Sequence, residues 1–313
     1  MAPGDPRRVA RFTWTVVAAA LVSLMVSAWW ALTDAARGPA YAPVTAQPRS
    51  TRSPTRSMGG LQLAGSGTNL PLTTRLARAY ADRHPDPRLT VHPSIGSGGG
   101  LAALRDGVID VALVSRDPRP EELGAEFKVV PYAQAAVVFA AHPDVPVDRV
   151  HSRDLLALYT GIQPSWHDGQ PVVVLLREPG DSGTQAALLA IEGFAAADRR
   201  ARQRPSARVL YRDREMQQAL TNTPGAIGLF DLGTVRLEQL PLRVLAYEEH
   251  VPSLATLRDG SYPLTKTLAF VVRHPSSPSV ARFLAFVRSP VAQRIIEDGH
   301  YLALLSPPPR DNP

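Results

Sequence analysis

The chain has 313 residues, no cysteine and a formal net charge of +6. Its length holds one large or two ordinary domains plus a tail, and 44% apolar against 20% charged residues excludes both a globally disordered chain and a polytopic membrane protein. The missing cysteines exclude a disulfide scaffold, a cysteine zinc site, an iron–sulfur cluster, a thiol nucleophile and a lipidated N-terminal cysteine. Residues 1–60 hold seven Arg and two Asp, whereas the remainder carries 27 basic and 26 acidic groups. The body is therefore nearly neutral, and no nucleic-acid partner is expected.

In the leader, Arg7, Arg8 and Arg11 precede an uncharged run, Phe12 to Thr33, of mainly Val, Ala, Leu and Trp. A run of about 20 apolar residues spans a bilayer as a helix, whereas a cleavable signal core is usually about 7–15. Residues 1–33 thus read as a signal anchor, with a signal peptide as the alternative. Trp29 and Trp30 stand where rings favour the headgroup interface. Either reading leaves the positive end in the cytoplasm and exports the rest, outside the cytoplasm and tethered by residues 12–33. Residues 34–60, rich in Pro, Ser, Thr, Arg and Gly, read as a flexible linker.

From Leu61 one pattern repeats: a short apolar run, a Gly/Ser/Thr cluster, then a helical stretch. The first unit is Leu61–Ala64, Gly65–Asn69, then a helix from Pro71 to Arg83 with Leu72, Leu76 and Tyr80 every fourth residue. The second runs Leu89–Ile95, Gly96–Gly100, then Leu101–Asp106. The third is Ile109–Val114, Ser115-Arg116-Asp117-Pro118 and a short helix near Glu121. A fourth follows a break: Val172–Leu176, a turn from Arg177 to Thr184, then Gln185–Glu192. Strands alternating with helices imply βαβ units and an α/β fold. Two further apolar runs, Ala135–Ala141 and Leu268–Val272, fit crossing strands of a chain that leaves a first lobe and later returns. Lobe I is read as 61–142 plus 262–306 and lobe II as 143–245, with 246–261 connecting them and 307–313 as a tail. A single continuous sheet with an insertion is the alternative.

Ligands of open α/β sheets sit beyond the carboxyl ends of the strands, where this pattern puts all four polar clusters. Each cluster opens a helix whose N-terminal N–H groups favour an anion, and Arg177 adds a planar cationic fork. One such turn is commonly only an N-cap; four converging turns with an Arg point to an anion site. The chain lacks a P-loop, a dinucleotide fingerprint, a G-x-S-x-G elbow and an H-E-x-x-H helix, so no cofactor or metal is expected. The arginines between Arg199 and Arg214, with few aromatics nearby, read as a solvated helix and loop rather than a nucleic-acid surface.

As a set, Gly65-Ser66-Gly67-Thr68-Asn69-Leu70-Pro71, Ile95-Gly96-Ser97-Gly98-Gly99-Gly100, Asp110 to Arg116, Arg177 through Ser182-Gly183-Thr184, Thr223-Pro224-Gly225-Ala226-Ile227-Gly228 and Tyr262-Pro263-Leu264-Thr265-Lys266 resemble the phosphate-binding proteins of ABC importers. These are members of the type II periplasmic solute-binding superfamily. The resemblance runs from about Leu61 to Ala303. It implies two α/β lobes joined by crossing strands and closing on dehydrated phosphate, with no bond broken and an ABC permease or other inner-membrane protein as partner. By position it implies that Thr68, Asn69 and Leu70 hold the ligand from the first loop through backbone N–H groups and a hydroxyl, and Ser97 from the second through its hydroxyl, while Arg177, Ser182, Gly183 and Thr184 contribute one cation, two hydroxyls and backbone donors at a helix start from the second lobe.

Three departures accompany it. Where well-known members follow the Ser with a carboxylate, here Ser115 is followed by Arg116, with Asp117 one residue on. A carboxylate at Asp117 would favour a protonated oxyanion, whereas an inward Arg116 would favour a more negative one. The turn from Arg177 to Ser182 is also one residue longer, and Asn69 replaces the hydroxyl common in the first loop. The expectation is a membrane-tethered binding protein for phosphate or a similar tetrahedral oxyanion. Its rivals are a sensory or interaction module with the same fold and an exported hydrolase built on Ser182.

Overall fold

A computed structural model of the chain describes residues 60–84 and 88–304. The apolar leader at 12–33, nearly all of the linker and the tail at 307–313 lie outside the described residues. Among the described residues no helix is long and apolar enough to cross a membrane.

The repeated units are present with shifted edges. Strand β1 (Leu61–Gly65) runs through a 3-10 turn, Gly67–Asn69, into α1 (Leu70–Ala81). Strand β2 (Leu89–Val91) precedes α2 (Gly96–Arg105), and β3 (Val111–Val114) precedes a 3-10 turn at Pro120–Glu122. The glycine cluster expected as a loop is therefore the first turn of α2. Its helix packs so near β1 that a Cβ on Gly100 would stand 2.9 Å from Gly65 Cα and 3.0 Å from the Ala64 carbonyl. Glycine is used there for close approach, at a helix-propensity cost of about 1 kcal/mol relative to Ala.

The chain then forms β4 (Phe127–Ala141), β5 (Arg149–Val150), α3 (Ser152–Thr160), β6 (Val173–Arg177), α4 (Ser182–Ala190) and α5 (Phe194–Gln203). After these come β7 (Arg208–Leu210), α6 (Asp213–Asn222), β8 (Ala226–Asp231), α7 (Leu232–Leu237), β9 (Arg243–Val244) and β10 (Ala246–Tyr247). The chain closes with α8 (Leu254–Arg258), β11 (Thr265–Arg273), α9 (Pro278–Val287), α10 (Pro290–Asp298) and β12 (Leu302–Ala303). The basic run read as helix and loop in fact covers α5, the strand β7 and the first turn of α6.

Two parallel blocks, β2-β1-β3 and β8-β6-β7, are joined by the antiparallel pair β11 and β4. Strand β4 is long enough to serve both: Phe127–Ala136 pairs with β11, and Val137–Ala141 with β8. Where the sequence reads more naturally as two sheets, the hydrogen bonding thus follows one continuous path, order β2-β1-β3-β11-β4-β8-β6-β7. The crossing runs expected at Ala135–Ala141 and Leu268–Val272 are the apolar parts of these longer strands. A register shift between Leu268 and Ala269 leaves Tyr132 as the extra residue on β4, beside Pro131, which suits a bulge better than a regular ladder.

Burial follows the two blocks. One core gathers residues from Ala136 to Leu264, centred on Phe139, Tyr159 and Phe194. A second, with Leu63, Leu72, Tyr132, Phe270 and Phe283, lies under β1, β3 and the N-terminal half of β4. Each fully buried side chain of this size contributes about 1.5–3 kcal/mol. A mixed α/β architecture results, with the carboxyl ends of β1, β3, β6 and β7 facing a common cleft.

Candidate functional site

The cleft has a volume of about 680 Å³ and lies between the loops that follow β1 and β3 on one side and β6 and β7 on the other. Its floor is a chain of hydroxyls. Ser66 Oγ and Ser115 Oγ are 2.5 Å apart. Ser182 Oγ, from the first residue of α4, donates to Ser115 Oγ at 3.3 Å and so joins the two sides. The Ser115 backbone N–H donates to Ser97 Oγ at 3.4 Å, and Ser97 sits in the first turn of α2. The N-termini of α2 and α4 thus open on the same space, the arrangement that favours an anion.

Arg177 ends β6 and its side chain is only 7% exposed. Its Nε donates to Asp181 Oδ1 at 3.3 Å and its Nη2 to Glu178 Oε1 at 3.2 Å, with Asp213 Oδ2 3.8 Å from Nη2. Burial works against the guanidinium charge, yet Asp213, Asp181 and Glu178 outweigh it and hold the pKa above the ordinary arginine value. The Glu178 carboxyl is pushed up by burial, against the opposing pull of Arg177. Two buried atoms of this pair, Arg177 Nη1 and Glu178 Oε2, have no hydrogen-bond partner in the protein. A buried donor and a buried acceptor left unpaired are costly, about 1–3 kcal/mol or more each, and both residues line the cleft.

Thr68 is buried at the edge of the floor. Its hydroxyl donates to Asp213 Oδ1 at 3.3 Å and accepts from Lys266 Nζ at 3.2 Å. The Asp213 carboxylate lies against the Gly67 backbone, where a Cβ would meet Oδ2 at 2.0 Å. Asp181 also caps α4, accepting from the Thr184 N–H at 2.8 Å and from Thr184 Oγ1 at 3.2 Å.

Of the residues singled out from sequence, Thr68, Ser97, Ser115, Arg116, Arg177 and Ser182 line the cleft. Gly183 borders a small gap in the floor beside Thr68, Arg177 and Lys266. The others stand elsewhere. Asn69 is fully buried and its side chain is saturated: Nδ2 donates to the Val114 and Ala269 carbonyls at 3.0 and 3.4 Å, and Oδ1 accepts from Tyr132 and Thr73 hydroxyls at 2.5 and 2.8 Å. That amide ties α1 to β3, β4 and β11 instead of facing the cleft. Leu70 packs on the core beneath α1, and the Thr184 hydroxyl turns to Asp181.

Asp117 is exposed and outside the cleft lining. The cleft carboxylates are Glu178, Asp181 and Asp213, all from the opposite side. Arg116 faces the cleft, but its guanidinium forks onto Glu122 at 2.7 and 2.6 Å, and that bond pulls the Glu122 carboxyl far below its usual range. Sequence reasoning gave no role to Glu178, Asp213 or Lys266. Glu178 stands beside a marked Arg, but Asp213 and Lys266 reach Thr68 across 145 and 198 residues, which only the topology reveals. No histidine lines the cleft, and among the described residues no cluster of three metal-ligating side chains occurs.

A family model described as the PBP superfamily domain matches residues 44–291. The chain is 22% identical over 251 residues to the phosphate-binding protein PstS of Borreliella burgdorferi, covering 78% of this chain and 90% of that one. Among solved structures it resembles a protein from Clostridium perfringens, described as a phosphate ABC transporter substrate-binding protein with bound phosphate. The TM-score there is 0.69, at 20% identity, over 79% of this chain and all of that one. An ABC-type phosphate transport receptor from Vibrio cholerae aligns with a TM-score of 0.57, at 19% identity, over 77% and 99% of the two chains. At these identities the structural likeness speaks for the fold.

Proposed function

The chain belongs to the PBP superfamily, and from that premise we propose that it captures phosphate outside the cytoplasm and presents it to an ABC-type importer. The observation that carries this reading is the orphaned pair in the cleft, Arg177 Nη1 and Glu178 Oε2. A protonated phosphate supplies both missing partners at once: an anionic oxygen accepts from the guanidinium, and a P–OH donates to the carboxylate. The Ser66, Ser97, Ser115 and Ser182 hydroxyls stand around the same space and can turn toward the remaining oxygens. Sulfate has no proton to offer at neutral pH and would meet the Glu178 charge unrelieved. Two unit charges about 4 Å apart at an effective dielectric of about 20 repel by about 4 kcal/mol, enough to separate the two anions.

The function is binding without turnover. β4 and β11 form the crossing segment between the two lobes, and hinge motion there would open and close the cleft. Closure excludes water and strengthens each contact in the site. The apolar run at 12–33 serves in this proposal as the membrane tether, standing in for the absent lipidated cysteine. Titration calorimetry of the full chain in detergent with phosphate, arsenate, sulfate and molybdate tests the reading. Phosphate and arsenate are expected to bind. Silence with all four overturns the proposal, and preference for molybdate or sulfate replaces phosphate as the ligand.

A further inference from the structure

Behind the hydroxyl floor lies a second cation that the phosphate reading does not use. Lys266 is the second residue of β11, and its side chain is 7% exposed. In register it stands opposite Ala135 on β4, two residues from the point where Val137 pairs with Asp231 at the end of β8. It therefore sits where β4 passes from one block of the sheet to the other. Its ammonium has two neighbours: Thr68 Oγ1 at 3.2 Å and Asp231 Oδ2 at 3.8 Å.

Asp231 explains why the lysine is held there. Its Oδ1 accepts from the Thr234 N–H at 2.9 Å, from Thr234 Oγ1 at 3.2 Å and from the Tyr301 hydroxyl at 2.9 Å. Its Oδ2 is buried and makes no hydrogen bond, so the charge it leaves uncompensated faces Lys266. Burial raises the Asp231 pKa and the Lys266 ammonium, 3.8 Å away, pulls against that shift, so the two attract and the ammonium is held beneath Thr68.

The consequence falls on the Thr68 hydroxyl. A hydroxyl has one hydrogen and two lone pairs, whereas an ammonium can only donate. With Lys266 donating into Thr68 Oγ1, the threonine hydrogen is left to point away from the lysine, into the cleft, where it now meets Asp213 Oδ1 at 3.3 Å. We propose that Lys266 is a positioning residue for the anion: held by Asp231, it sets the Thr68 hydroxyl as a donor toward the bound oxyanion. Lys266 and Arg177 border the same small gap beside Thr68. The inference rests on the phosphate reading, and it adds a residue that the sequence resemblance assigned no role.

Phosphate titration of the full chain tests it, with Lys266→Met, Lys266→Arg, Thr68→Val and the Lys266→Met/Thr68→Val pair. Loss of one oriented donor to a charged ligand weakens binding about 10- to 100-fold, and that loss is expected for Lys266→Met and for Thr68→Val. Because one residue acts through the other, the double variant should bind no more than about threefold worse than Thr68→Val alone. Lys266→Arg should recover most of the affinity. Lys266→Met alone leaves Asp231 buried without a counter-ion and can fail to fold, so Lys266→Met/Asp231→Asn is measured beside it. That pair should melt like the wild type yet keep the weakened binding. Wild-type affinity in it, or full additivity with Thr68→Val, overturns the positioning role while leaving phosphate binding intact. A wild-type chain silent toward phosphate overturns both.

Discussion

Arg177→Ala removes the one guanidinium of the cleft that has a buried, unpaired donor. The side chain is 7% exposed and holds three carboxylates at 3.2, 3.3 and 3.8 Å. For a phosphate oxygen beside the fork, the direct attraction at about 4 Å and an effective dielectric of about 20 is about 4 kcal/mol. At about 1.4 kcal/mol per decade this is about a thousandfold in affinity. Removing the cation also leaves Glu178, Asp181 and Asp213 facing the anion without compensation, so the loss should be at least that large. Arg177→Lys keeps the charge and loses the planar fork, and should fall between the two, about tenfold to a hundredfold weaker than the wild type. Titration calorimetry at neutral pH reads the affinities, and melting curves of the unliganded variants separate lost binding from lost folding. A folded Arg177→Ala chain that binds phosphate within tenfold of the wild type would refute the assignment of the anion to this guanidinium.

Glu178→Gln replaces the orphaned acceptor with a neutral amide; phosphate should weaken and sulfate should gain, and competition titrations that show unchanged selectivity would remove Glu178 from the recognition step. Gly100→Ala adds a Cβ at 2.9 Å from Gly65 Cα, an overpacking cost of about 1–3 kcal/mol that exceeds the helix-propensity gain of about 1 kcal/mol at its upper end. A lower urea midpoint is expected, and a raised one would mean that α2 can move off β1 freely. Glu248 accepts from the Ser152 hydroxyl and N–H at 2.7 and 2.8 Å and contacts His151 at 2.8 Å, which holds its carboxyl down to about 2 from the ordinary 4.5. Because the folded value is depressed, its stabilisation is present above about pH 4.5 and disappears as pH falls through about 2. Glu248→Gln should therefore lower the urea midpoint at pH 7, with the gap to wild type closing in acid; a gap that widens in acid would contradict the sign.

The strand–turn–helix rhythm was legible because each unit couples a Val/Leu/Ala run to a Gly/Ser turn, two local signals that agree. Strand β7 was not, since three residues, Arg208–Leu210, sit inside an arginine-rich stretch with no room for alternation to show. The N-terminal half of β4 was hidden by Lys128, Pro131 and Gln134, which interrupt the apolar run. Pro131 adjoins the bulge at Tyr132, whose hydroxyl reaches Asn69. The Asn69 side chain has a structural task that its position in the first loop did not reveal. Ser66, Gly67 and Thr68 before it line the cleft, but the 3-10 turn at Gly67–Asn69 rotates its side chain inward, where four hydrogen bonds hold it.

Arg177 could be singled out because a cation before a Gly/Ser helix start is unusual in a strand–turn–helix unit. Its carboxylate neighbours divide in two. Glu178 and Asp181 were in plain view in the turn but carried no sign of which atoms would be left unpaired. Asp213 opens α6, after the separate strand β7, and meets Thr68 only because the two sheet blocks face one cleft. Asp117, one of the two alternatives on the first side, stands outside the cleft lining, and the carboxylates that line the cleft come from the other side. Arg116, free in the sequence, is tied by Glu122 six residues on, a spacing that no helical or strand period would flag.

The most direct test of the account is a crystal structure of the chain grown with phosphate. The prediction is a tetrahedral anion in the cleft, one oxygen within about 2.7–2.9 Å of Arg177 Nη1 and a second within about 2.5–2.7 Å of Glu178 Oε2. Phosphate bound elsewhere, or a cleft left without it at saturating concentration, would contradict the central claim.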